Sequence, residues 1–81
     1  MVRARVHVRL KPGVLDPQGQ AIQRALGQLG FQGIADVRQG KLIELDLEDS
    51  DRGSAETKVR AMCEQLLANP VIETYAVSFD E

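Results

Sequence analysis

The chain opens with near-perfect alternation. Val2, Ala4, Val6, Val8 and Leu10 take one set of positions, and Arg3, Arg5, His7, Arg9 and Lys11 take the other. A period of two predicts a strand with one buried face. Pro12-Gly13 ends it, because proline has no amide proton for the ladder and glycine permits a turn. The pattern then changes to a helical period. Asp16 suits the N-cap and Pro17 the first helical position. Ala21, Ile22, Ala25, Leu26 and Leu29 form an apolar stripe. Gly30 supplies a left-handed C-terminal position, with Phe31 placed to pack back on Leu26.

Two short strands are expected next, Ile34–Arg38 and Lys41–Glu48, joined by a tight hairpin at Gln39-Gly40. In the second, Ile43, Leu45 and Leu47 face the core, and Glu44, Asp46 and Glu48 face away. A polar loop over Asp49–Gly53 leads to a helix from Ser54 to Ala68. Its stripe is Ala55, Val59, Met62, Cys63, Leu66 and Leu67. Asn69-Pro70 stops that helix, and Val71–Phe79 is the last strand. The order βαββαβ predicts one α+β domain over residues 1–81, a split-βαβ sandwich. Two helices would pack on one face of a four-stranded antiparallel sheet, with the first and third strands central. The cationic face of the first strand would then lie beside the acidic face of the third, each opposite-charge pair contributing about 0.2–1 kcal/mol. The row Arg3, Arg5 and Arg9 reads as a solvated or salt-bridged face, or as a docking surface for another subunit.

Size and charge narrow the options. The 81 residues make one domain. A chain this short buries only about 60–65% of its unfolded surface, so association with another chain is a ready source of stability. One cysteine excludes an internal disulfide framework. Twelve acids against ten Lys and Arg, a net charge of −2, argue against a nucleic-acid surface. No apolar run approaches the roughly 20 residues that span a bilayer, so a soluble, cytoplasmic protein is expected.

The chemistry-bearing residues are sparse. His7, the one histidine, alternates with arginines on a strand. Cys63 sits on an apolar helical stripe and reads as a core thiol. One His and one Cys cannot build a zinc site, and no glycine-rich phosphate loop is present. No catalytic, cofactor-binding or metal-binding residue is expected. An RNA-recognition domain of this topology would stack bases on strand aromatics, where this chain has Arg, His, Glu and Asp. A ligand-sensing or dimerisation domain of ferredoxin-like topology stays open as an alternative.

Three blocks resemble a known family. They are Leu10-Lys11-Pro12-Gly13-Val14-Leu15-Asp16-Pro17-Gln18-Gly19, then Asp36-Val37-Arg38-Gln39-Gly40-Lys41, then Leu66-Leu67-Ala68-Asn69-Pro70-Val71-Ile72-Glu73 followed by Tyr75. In this order they are similar to the PurS family, a subunit of phosphoribosylformylglycinamidine synthase, and the likeness runs essentially end to end. The resemblance implies a ligase of purine biosynthesis that converts formylglycinamide ribonucleotide, glutamine and ATP into formylglycinamidine ribonucleotide. It implies a non-catalytic assembly subunit, joining a PurL-type synthetase to a PurQ-type glutaminase and helping to enclose the ammonia path. ATP and magnesium would belong to the synthetase, and the chain itself would form a homodimer or tetramer. Arg38, Lys41, Lys11 and Asp16 are the candidate partner-docking residues.

Overall fold

A computed structural model describes residues 1–80. The elements are β1 (Val2–Leu10), α1 (Pro17–Gln28), β2 (Gly40–Leu47), α2 (Arg52–Met62) and β3 (Glu73–Asp80). The chain is α+β, and its antiparallel sheet has three strands in the order β2-β1-β3. The first strand and the strand from Gly40 are neighbours, as the split-βαβ order predicts.

The fourth strand, expected over Ile34–Arg38, does not form. Its apolar residues Ile34 and Val37 lie three apart and cannot share one face of a strand. Backbone groups of the segment and of Gln39 just after it find side chains instead. Gln23 Nε2 donates to the Ile34 carbonyl at 3.0 Å, and the Gln39 amide donates to Asp16 Oδ2 at 2.7 Å. The predicted hairpin at Gln39-Gly40 therefore has no first arm.

The even-numbered residues of β1 make the inner face. Ala4 lies between Leu45 and Phe79, Val6 between Ile43 and Val77, and Val8 between Lys41 and Tyr75. Ala4, Val6, Val8, Val59, Cys63 and Ala68 form the buried core, with Ile43, Leu45, Leu47, Leu67, Tyr75, Val77 and Phe79 partly buried against it. α2 covers this face over β1 and β3. It starts two residues before the predicted Ser54, because Asp51 caps it by accepting from the Gly53 and Ser54 amides. After Met62 the helix widens into a π segment, Cys63–Leu67, where the Ala68 amide reaches back to the Cys63 carbonyl. The added residue per turn rotates Leu66 off the stripe, and it is 83% exposed. Val71 and Ile72 belong to a turn held by Asn69, so the last strand begins at Glu73 instead of Val71.

α1 carries the larger correction. It ends as its sequence predicts: Gly30 has φ +98°, and the Phe31 and Gly30 amides close a Schellman motif on the Leu26 and Gly27 carbonyls. Yet its stripe is not covered, since Ile22 is 40%, Leu29 73% and Phe31 61% exposed. Only α2 packs on the sheet, so the two-helix sandwich is half-built within one chain. The cause lies at the N-terminus of α1. Asp16 and Gly19 clamp it to Val37 and Gln39 at one end of the sheet, and the helix stands off from there. The radius of gyration is accordingly 16.1 Å, against about 12 Å for a compact chain of this length. No helix among the described residues is long and apolar enough to cross a membrane.

Candidate docking surface at the end of β1

Three segments converge where β1 ends: the turn after Leu10, the stretch leading into β2, and the turn leading into β3. The Lys11 amide donates to the Ile72 carbonyl at 2.8 Å. The Lys11 carbonyl accepts from the Val14 amide at 3.1 Å and from Arg38 Nη2 at 3.2 Å. Arg38 is thus laid along the loop after β1.

Asp16 is buried, and its carboxylate is spent inside the fold. Oδ1 accepts from the Gly19 amide at 2.9 Å and Oδ2 from the Gln39 amide at 2.7 Å. Those two amides, Gln39 first, hold its acid below the ordinary aspartate range. It is a latch between α1 and the entry to β2. Lys41 belongs to the inner face of the sheet, where Nζ lies 3.7 Å from Glu73 Oε2. Of the four sequence candidates, Lys11 and Arg38 meet at one end of β1, Asp16 lies buried beneath them, and Lys41 turns to the other side of the sheet.

The outer face shows a gradient along β1. Arg3 stands between Asp46 and Asp80, with Nε 2.8 Å from Asp46 Oδ1. Arg5 reaches Glu44 at 3.1 Å and Asp80 at 2.9 Å. The hydrogen bond to Arg3 holds the Asp46 acid low, and the same contact raises the Arg3 guanidinium. Beyond Arg5 the cross-strand neighbours on this face carry no acid. His7 lies between Leu42 and Ala76, and Arg9 between Gly40 and Thr74. A cleft of about 490 Å³ opens there, lined by Arg9, Pro12, Gly13, Asp36, Arg38 and Thr74 among others. On the inner side a second hollow of about 260 Å³ runs between Gln18, Gln39, Lys41 and Glu73.

Cys63 is buried, and burial raises its thiol above the ordinary value, which disfavours a thiolate nucleophile. Tyr75 donates to Glu64 Oε1 at 2.9 Å, which raises the phenol and keeps it protonated. The arrangement offers charge and shape for contact. Replacing Arg38 and Lys41 together by alanine should change unfolding stability by less than about 0.5 kcal/mol, since both are exposed. Urea denaturation of the double variant checks this.

Two functional features escape the sequence. One is the bond from Gln39 to Asp16, 23 residues apart. The other is the isolation of Arg9 within its row, visible only once register names the residues opposite.

Comparison with known proteins covers the chain from end to end. Residues 3–81 match the family model PurS, described as phosphoribosylformylglycinamidine (FGAM) synthase. The chain is 54% identical over 71 residues to the Synechocystis protein named phosphoribosylformylglycinamidine synthase subunit PurS, covering 88% of this chain and 71% of that one. The Bacillus subtilis PurS crystal structure superposes with a TM-score of 0.89 at 48% identity, all of both chains being covered. A chain in the structure of PurLQS from Thermotoga maritima gives a TM-score of 0.86 at 32% identity, with 99% of each covered. Sequence and backbone agree over the full length, and the chain belongs to the PurS family of FGAM synthase.

Proposed function

We propose that this chain is the small assembly subunit of FGAM synthase, the ligase that forms formylglycinamidine ribonucleotide from formylglycinamide ribonucleotide, ATP and glutamine. The observation that carries this reading is the full-length match to a chain of the Thermotoga maritima PurLQS structure. In this role it holds the PurL-type synthetase and PurQ-type glutaminase subunits together in the cytoplasm. ATP and magnesium act on the synthetase, and this chain holds neither. The chemistry supplies the reason for such a subunit. Ammonia released into water is protonated and ceases to be a nucleophile, so a contact that keeps the two active sites joined and water excluded preserves its reactivity.

The chain also associates with a second copy. The apolar stripe of α1 (Ile22, Leu26, Leu29) lacks a cover, and the inner sheet face over β2 (Ile43, Leu45, Leu47) is only half-buried. A two-fold pairing in which α1 of each copy covers β2 of the other satisfies both at once. It completes between two chains the sandwich that one chain leaves half-built.

Reconstitution tests the assignment. With ammonia supplied, the synthetase should work without this chain. With glutamine it should need both this chain and the glutaminase. Full glutamine-dependent synthesis in its absence would refute the assembly role.

A further inference from the structure

The outer face of the sheet divides into a neutralised half and an open half. Arg3 and Arg5 each have an acid opposite them. Among the described residues no carboxylate lies within ion-pair distance of Arg9, whose cross-strand neighbours are Gly40 and Thr74. Those neighbours are small, as is Ala76 beside His7, so the floor around Arg9 is low and accessible. Leu42, on the same face, is 53% exposed. The open half runs directly into the cleft at the end of β1, where Arg38 is fixed by its bond to the Lys11 carbonyl. Asp36 is the one acid of that cleft, and its Oδ1 is already turned to the Val37 amide.

A fixed guanidinium, a second guanidinium with no counter-ion, small neighbours and an exposed leucine form a surface with a definite complement. We infer that the open half of the outer face, centred on Arg9 and Arg38, docks a carboxylate-bearing segment of a partner subunit, with Leu42 at its apolar margin. This rests on the assembly role proposed above and names the chemistry of the contact. Planar guanidinium forks match carboxylates in two-point geometry. A buried charged contact of this kind also discriminates among partners, because a like charge placed against it is repelled. The neighbouring arginines cannot do the same work, since Asp46, Glu44 and Asp80 already occupy them.

The experiment measures binding of this chain to the synthetase and to the glutaminase subunit, at low and high salt, for wild type, Arg9→Glu, Arg38→Glu and Arg24→Glu. Arg24 is an exposed cation on α1 outside this surface and controls for net charge. Circular dichroism and sedimentation confirm that each variant keeps its fold and its self-association. The expected result is a loss of about tenfold or more with Arg9→Glu and Arg38→Glu toward at least one partner. Arg24→Glu should stay within about twofold, and the variants should lose most of the salt dependence of the wild type. Wild-type binding with unaltered affinity in Arg9→Glu and Arg38→Glu overturns the docking surface alone. Failure of the wild type to bind either subunit overturns the assembly role on which it rests. A titration with inorganic phosphate separates the remaining occupant: saturation at low millimolar concentration that Arg9→Glu abolishes, without any loss of subunit binding, assigns the cleft to a small anion and overturns the proposal.

Discussion

Gly19→Ala should lower the melting temperature by about 10 °C, although alanine is the better helix former. A Cβ on Gly19 would lie well inside van der Waals distance of the Val37 carbonyl oxygen and 3.0 Å from Asp16 Oδ2. The first obstacle is backbone and cannot rotate away. Relief requires moving the stretch that carries Gln39, which breaks the bond from its amide to Asp16. Gly27 is the internal control. It lies in the same helix with nothing within 4 Å of its Cβ direction. Gly27→Ala should therefore raise the melting temperature, by about 3–5 °C, through helix propensity alone. Thermal unfolding of the two variants side by side checks the sign of each. The same latch sets a pH dependence. The Asp16 acid is held below its ordinary value by the Gln39 and Gly19 amides, and Asp46 and Asp49 are lowered by Arg3 and Lys58. Each contributes stability that is fully present above the unfolded value near pH 4 and is lost as the pH falls through the folded value. Melting temperature should be flat on the neutral side of that range and fall on the acid side, with a shallower fall in Asp16→Ala.

The double variant Ile22→Glu with Leu29→Glu should convert the oligomer to monomer. The two residues are seven apart, on one face of α1, and both are exposed in the single chain. In a two-fold pair each contact occurs twice. Losing about 4 kcal/mol of apolar burial across the pair raises the dissociation constant about a thousandfold. Sedimentation velocity at micromolar concentration reads the outcome directly. The monomer should keep its far-ultraviolet circular dichroism, because neither residue belongs to the core of its own chain. An oligomer that survives the double substitution would show that α1 is not the pairing surface.

How much of this was legible beforehand varied with the range of the interaction. The local elements were readable. The alternation in β1, the caps Asp16 and Gly30 around α1, the stop at Asn69-Pro70 and the acidic alternation in β2 all follow from neighbours within a turn or a pleat, and the structure shows each. Even the placement of β2 beside β1 was readable, because the usual order of a split-βαβ fold puts them together, and their charge rows then match. The family likeness in the three motif blocks was likewise a matter of residue identity and spacing. The strand expected over Ile34–Arg38 does not form: the Ile34 carbonyl is taken by Gln23 and the Gln39 amide just after the segment by Asp16, partners far apart in the chain that no local pattern records. The same long-range bond engages Asp16 inside the fold and ties the N-terminus of α1 to the entry of β2. Lys41 and Arg38 look alike in sequence, but one faces the helix side and the other lies along the loop after β1. The isolation of Arg9 depends on register, since a pleated strand meets its neighbours across the ladder and not along the chain. Sequence by itself determined five of the six expected elements, the charge rows and the family; the tertiary structure alone decided which charges remain open and which apolar face is left for another chain, because both depend on what stands opposite in space.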